Sequence, residues 1–190
     1  VRLTDTGTVA ATVLSGIGAI TEGTVTVNGA MTITGSTEEI KNALVTETSK
    51  VIATTSANVT FVGDNPTGAE LADINDAAGG TITLANNAQT FTGTAAVMKS
   101  AFAGGLANTQ TGAVKINDTE GTIAATVLTD ITAQTSGTVT AAAAGITITG
   151  TTTEVKAAIV TEATKAIMAN GKVRLTDTGT VAATVLSGIG

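Results

Sequence analysis

The stretch Val1–Gly18, VRLTDTGTVAATVLSGIG, returns without a single change as Val173–Gly190. Identity over eighteen residues, solvent-facing positions included, marks a tandem array, and it sets a large period of 172 residues. The parent chain is expected to continue in the same way beyond both ends. Inside that period lies a looser one of about 57 residues. Its phases open at Val1 (VRLTDTGTVAATVL), Val59 (VTFVGDNPTGAEL), Val114 (VKINDTEGTIAATVL) and Val173. The second halves align as well. GTVTV at Gly23 matches GTITL at Gly80 and GTVTA at Gly137, and TITGSTEEIKNAL at Thr32 matches TFTGTAAVMKSAF at Thr90 and TITGTTTEVKAAI at Thr147. The chain therefore divides into units 1–58, 59–113 (divergent) and 114–172, with 173–190 opening the next large repeat.

Each unit reads as alternating strands and short helices. VRLTD and GTVTV alternate β-branched and polar residues, the period of a half-buried strand, and TITG is a second short strand closed by glycine. Ala10, Val13, Leu14 and Ile17 fall on one helical stripe, matched by Ala124, Val127, Leu128 and Ile131. Ser36 with Glu39, and Thr151 with Glu154, have the spacing of a capping box. The helices they start are expected to bury Ile40, Ala43, Leu44 and Val51, and Val155, Ala158, Ile159 and Ala166. Glu47 with Lys50, and Glu162 with Lys165, are pairs for the exposed side. Same-direction strands joined by helical crossovers predict a parallel α/β arrangement. Because the units recur in register, the expected fold is a β-rich parallel α/β solenoid of about 57-residue units, three per large repeat, with strands on one wall and helices on the other.

The composition agrees with repetition and excludes several functions. Cys, His, Trp and Tyr are absent, yet hydrophobic residues make up 43% of the chain, so burial falls to Ala, Val, Ile and Leu. A lone 57-residue unit without aromatics, cysteine or metal would be marginal, and stacking on neighbours supplies the missing burial. Nine Lys plus Arg face fifteen Asp plus Glu, an acidic balance unsuited to nucleic acid. No apolar run approaches the roughly 20 residues that span a bilayer. Without His or Cys there is no imidazole base or thiol nucleophile. Glu38-Glu39 are adjacent at a helix start, where they favour the macrodipole, and Gly79-Gly80 and Gly104-Gly105 lack the context of a phosphate loop. No catalytic residue is assigned.

The pattern DTGTVAATVL…GTVTV…TITGTTTEVKAAI resembles the repeats of giant, low-complexity bacterial cell-surface proteins, such as those of marine cyanobacteria that swim without flagella. The resemblance covers nearly the whole chain. It implies an extracellular, cell-attached array with a mechanical or adhesive role, and it brings no catalytic residue. The middle unit departs from it, with Asp64-Asn65-Pro66 in place of the Asp-Thr-Gly turn and no capping glutamate in its second helix.

Three features carry candidate chemistry. Asp5, Asp118 and Asp177, with Asp64 displaced by one, follow the first strand of each phase. Calcium is the cofactor these turns would bind, but calcium wants several oxygen ligands and each turn offers one carboxylate. The favoured alternative is that Asp or the following Thr caps the next helix, with Gly7 and Gly121 making the turn. Second, the pairs Thr24/Thr26, Thr81/Thr83 and Thr138/Thr140, with Thr32/Thr34, Thr90/Thr92 and Thr147/Thr149, would form a regular binding face for ice, glycan or another chain if they stacked flat. Otherwise they are the ordinary polar side of strands. Third, Asn58-Val59-Thr60 and Asn117-Asp118-Thr119 are N-x-Thr sequons, read as accidental. Lys41, Lys99 and Lys156, one per unit, read as solvated helix-face partners. The expected function is a rigid stalk, spacer or filament body of a large secreted or cell-surface protein, partnered by neighbouring repeats and by lateral or end-to-end self-association. The alternative is an adhesin-like binding surface.

Overall fold

The computed structural model describes residues 1–4, 6–27, 31–46, 51–53, 57–161 and 166–189, and it folds as two compact units. The first comprises residues 1–87 and 100–108. Within it, β1 (Arg2–Leu3), β3 (Val25–Val27) and β5 (Val51–Ala53) form one sheet in that order. β2 (Thr8–Ala10), β4 (Thr32–Gly35), β6 (Ala57–Phe61) and β7 (Gly79–Thr83) form a second. Three helices connect them: α1 (Ala11–Ile20), α2 (Thr37–Leu44) and α3 (Gly68–Ala78). All pairings are parallel. Arg2 lies opposite Thr26 and Val25 opposite Val51, while Val9, Ile33, Val59 and Ile82 follow one another across the second sheet.

The second unit comprises residues 88–99 and 109–190. β8 (Phe91–Gly93), β9 (Val114–Ile116), β11 (Val139–Ala141) and β13 (Ala166–Ile167) line up in one parallel sheet. β10 (Glu120–Ala124), β12 (Gly145–Gly150) and β14 (Lys172–Leu175) line up in another. The helices are α4 (Ala95–Phe102), whose first five residues belong here, α5 (Ala125–Thr132), α6 (Thr152–Ile159) and α7 (Ala183–Leu186). The expected parallel α/β class holds, with two sheets in each unit in place of a single strand wall. The compact units cut across the sequence boundaries at 58, 113 and 172.

Alternation explains the strands. In β6 the odd residues Ala57, Val59 and Phe61 are buried and the even ones half-exposed, and β3, β11 and β12 follow the same rule. Ile33, Val59 and Ile82 thus make one continuous inward row, all within 1% of full burial. Parallel partners need a crossover, and each partner here lies 22 to 27 residues further along the chain. That length holds one short helix and, in most crossovers, one strand of the other sheet.

Two helix assignments shift. The stripe Ala10, Val13, Leu14, Ile17 is rotated, because β2 runs through Ala10 and the helix starts one residue later. α1 buries Ala11, Leu14 and Gly18 and leaves Val13 51% exposed, while α5 buries Ala125, Leu128 and Ile131 with Ala124 in β10. Val51 and Ala166 lie in strands, not on helices. α2 and α6 stop before the β-branched pairs Val45-Thr46 and Val160-Thr161, whose N–H groups close the last turn on the Lys41 and Lys156 carbonyls. Ile40, Ala43, Leu44, Val155 and Ala158 are buried as expected, and Ile159 is half-exposed. Glu47, Lys50, Glu162 and Lys165 lie outside the described residues.

Candidate functional site

The recurrent polar geometry is at the starts of α2, α4 and α6. A helix leaves its first N–H groups without intrahelical partners. Ser36, Thr94 and Thr151 each accept a hydrogen bond from the backbone N–H three residues on. Glu39 and Glu154 complete capping boxes by accepting from the Ser36 and Thr151 N–H groups. The next N–H is satisfied from further away. Thr37 N–H donates to the Asp64 carboxylate at 3.2 Å, Ala95 N–H to Asp118 at 2.7 Å and Thr152 N–H to Asp177 at 2.8 Å. The Thr152 hydroxyl also donates to Asp177, at 2.7 Å, and that bond leads in holding the Asp177 carboxyl below its ordinary pKa.

The aspartates do cap helices, but not the ones that follow them. α1, α5 and α7 have alanine at the N-cap and no side-chain cap. Each aspartate reaches back 23 to 27 residues to the helix one strand-step earlier. Parallel stacking explains this. The strand preceding each aspartate pairs with the strand preceding the helix it caps: β6 with β4, β9 with β8 and β14 with β12. The bonds therefore fasten successive strand–helix layers together.

This use of the carboxylates bears on calcium. Asp118 and Asp177 each commit an oxygen to a helix N-terminus, and Asp5 lies outside the described residues. Among the described residues, no group of three acidic, histidine or cysteine side chains gathers where a metal could sit.

The threonine pairs do not share one face. Thr24 and Thr26 belong to or adjoin β3, whose outward neighbours across the sheet are Arg2 and Ile52. Thr138 and Thr140 adjoin or lie in β11, beside Lys115 and Ile167. Thr81 and Thr83 sit in β7, in a different sheet from either. Thr92 faces Lys115, Thr147 faces Lys172 and Thr149 faces Arg174, and Thr90 precedes β8. The uninterrupted row runs through Thr34, Thr60 and Thr83 across β4, β6 and β7, with Thr32 and Asn58 beside it.

The recurring lysines are partners between helices. Lys41 meets Glu70 of α3 at 2.9 Å, and Lys99 meets Asp130 of α5 at 3.4 Å. Residues at the matching place beyond Lys156, Val185 to Ser187, carry no charge. Glu70 is held below its usual pKa first by the Thr67 N–H and then by Lys41. With Thr67 it forms a capping box on α3, at the same Thr-x-x-Glu spacing as Thr151 and Glu154.

Two further devices escaped the sequence reading. In the divergent unit, the Asn65 amide donates to the Asn86 carbonyl and accepts from its N–H, taking the place of a strand pair beside Pro66. Asn58, the sequon residue, accepts from Thr81 N–H at 2.9 Å beside a bulge where the Gly80 backbone presses against the Ala57 carbonyl. Open grooves of about 360 and 250 Å³ lie over the Asp64 and Asp118 braces. No described helix is long and apolar enough to cross a membrane. No protein-family model, curated protein or solved structure matches the chain.

Proposed function

We propose that this chain is a structural repeat segment, a rigid spacer or filament body of a very large secreted or cell-surface protein, built as a parallel α/β solenoid. The observation that carries the proposal is the place of the recurring V-x-L/F/I strand. In β6 (Val59-Thr60-Phe61) and β9 (Val114-Lys115-Ile116) it stands between the x-T-G strand before it and the V-T-V-like strand after it. In Val1–Leu3 only the following partner is present, and in Val173–Leu175 only the preceding one. A motif with the same two neighbours wherever both exist is a propagating element. The aspartate braces of Asp64, Asp118 and Asp177 tie three of these steps further, and helix starts at 11, 68, 125 and 183 keep the 57-residue beat.

Two ladder steps per unit advance the axis by about 10 Å, so each 172-residue repeat adds roughly 30 Å. Length is then the product, with stiffness from backbone ladders and a continuous core. Proteins with one, two and four tandem copies test this by electron microscopy and small-angle scattering. The maximum dimension should grow linearly, by about 30 Å per copy; growth as the cube root of mass would sink the proposal.

A second reading, an adhesin-like surface, is favoured by the uninterrupted Thr34–Thr60–Thr83 row. Glycan pulldown or thermal hysteresis lost on Thr60→Lys would support it.

A further inference from the structure

Two asparagines are followed by glycine, in Asn28-Gly29 and Asn170-Gly171. The first pair lies outside the described residues. The second sits in the bend between β13 and β14, with Asn170 exposed and Gly171 half-buried. Asparagine is thermolabile, because its side-chain carbonyl carbon, Cγ, is open to attack by the backbone nitrogen of the next residue. The attack is easiest where that next residue has no Cβ to obstruct the approach, where its N–H is not already held, and where the asparagine side chain can turn.

Asn170 meets all three conditions. Its follower is glycine, and among the described residues no acceptor takes the Gly171 N–H. The Asn170 amide donates to the Ala142 carbonyl, 28 residues earlier, at 3.3 Å, longer than the usual N–H···O bond. Its exposure does not come from lying near the end of the sequence. Thr111, the counterpart of Asn170 ahead of β9, is exposed as well, although β9 is paired on both sides. Other asparagines fail one condition or another. Asn65 precedes Pro66, which has no N–H. Asn75 is only 5% exposed, and Asn58 precedes the β-branched and fully buried Val59.

We propose that Asn170-Gly171 is a self-modification site, at which the chain deamidates with water as the co-reactant. The Gly171 nitrogen bonds to Asn170 Cγ and gives up its proton, the Cγ–Nδ2 bond breaks, and ammonia leaves. The product is a five-membered succinimide, which water then opens at either carbonyl carbon. Breaking the bond from nitrogen to Cγ leaves aspartate. Breaking the bond from nitrogen to the backbone carbonyl carbon leaves isoaspartate, whose main chain runs through Cγ and is one methylene longer. Both products put a carboxylate where an amide donated to the Ala142 carbonyl, so that tie is lost. Isoaspartate also lengthens the chain just ahead of β14, where Lys172 opens the register against Thr147. β14 is then held less firmly on β12. The chemistry is the same whether the chain serves as a spacer or as a binding surface.

The full chain is aged in mildly alkaline buffer at physiological temperature. It is followed by peptide mapping, by carboxyl methylation with an isoaspartyl methyltransferase, and by amide hydrogen exchange. The peptide holding Asn170 should gain the mass of OH over NH2 and become a methyl acceptor, ahead of the peptides holding Asn58 and Asn117. Asn28-Gly29 falls in a separate peptide and is scored apart. Gly171→Ala should slow the reaction at Asn170 at least about fivefold. The group nearest the new Cβ is the flexible end of Met168, which can shift to admit it. Asn170→Gln keeps an amide but would have to close a six-membered ring, and should remove the signal. The Lys172–Leu175 amides should exchange faster in the aged chain than in the fresh one, and equally fast in aged and fresh Asn170→Gln. Three outcomes would each overturn the proposal: Asn170 intact while Asn58 or Asn117 reacts, Gly171→Ala reacting as fast as the parent, or β14 amides indifferent to ageing.

Discussion

The same eighteen residues fold to different extents at the two ends of the chain. In Val1–Gly18, Thr8–Ala10 forms a strand against β4, and the helix beginning at Ala11 runs ten residues to Ile20, packed against α2. In Val173–Gly190, the counterpart of that strand is absent among the described residues and the helix stops after four, at Leu186. Over the shared eighteen residues the sequences are equal, although α1 runs two residues past them, through Ala19 and Ile20. A helix this short is marginal alone, and the layer on which Leu14 rests is what extends it. Conversely, the later copy's strand has the partner that the earlier one lacks. Structure in this protein belongs to the junction of two layers more than to any one segment.

The sharpest way to break that comparison is to truncate the same side chain in both copies. Leu14→Ala removes a fully buried leucine and should cost about 2–5 kcal/mol in urea unfolding. Leu186→Ala removes one that is 43% exposed and should stay within about 0.5 kcal/mol. Equal costs would mean that the later copy is packed as fully as the first. Next in size is the glycine contrast. Gly137→Ala forces a Cβ into the Gly112 carbonyl and should cost about 1–3 kcal/mol, the scale of overpacking. Gly23→Ala, with open space around it, should leave the melting temperature in place.

Much of this was legible in the sequence, because repetition exposes what a single copy hides. The strands VxL, VTV and TxTG, the capping boxes at Ser36 and Thr151 and the parallel class all follow from period and spacing. What was not legible depends on which layer lies next to which. The aspartate after VxL has the spacing of a local cap, and only the β4–β6, β8–β9 and β12–β14 pairings reveal that it serves a helix one layer back. The glycine of GTVTV looks like turn punctuation until the preceding carbonyl is seen against it. The threonine pairs look equivalent by alignment, yet β3, β7 and β11 lie in different sheets and their cross-strand neighbours differ. The helical stripe failed by one residue at Ala10 because a strand and a helix compete for the same alanine, and periodicity alone cannot place that boundary.

A third, smaller contrast sets an interlayer brace against a surface ion pair. Asp118→Ala removes the acceptor for the first N–H of α4 and should cost about 1 kcal/mol, as a lost N-cap does. Asp130→Ala removes a bridge to Lys99 whose partners are both about half exposed, and should cost less than about 0.5 kcal/mol. If the order were reversed, the layers would be held by helix-face charges and not by the braces.

The smallest effect is that of acid, and it singles out the later copy. Asp177, tied to Thr152, and Glu70, tied to Thr67 and Lys41, are both held below their ordinary pKa values. A carboxylate with a depressed pKa in the folded state adds stability above its unfolded pKa, and that contribution is lost as the pH falls through the folded value. Stability should therefore be flat from neutrality to about pH 5 and decline below about pH 4. The decline should be slight, because Asp177 is solvent-exposed and Glu70 half-buried at the surface, where solvent screens both. The first change should come at the Thr152 amide, whose NMR shift ought to follow the Asp177 titration before any global melting. Asp177→Asn keeps an acceptor for that N–H but removes the titrating charge, so the variant's Thr152 amide should no longer move in this range. A Thr152 shift that titrates identically in the variant would detach the acid response from the brace.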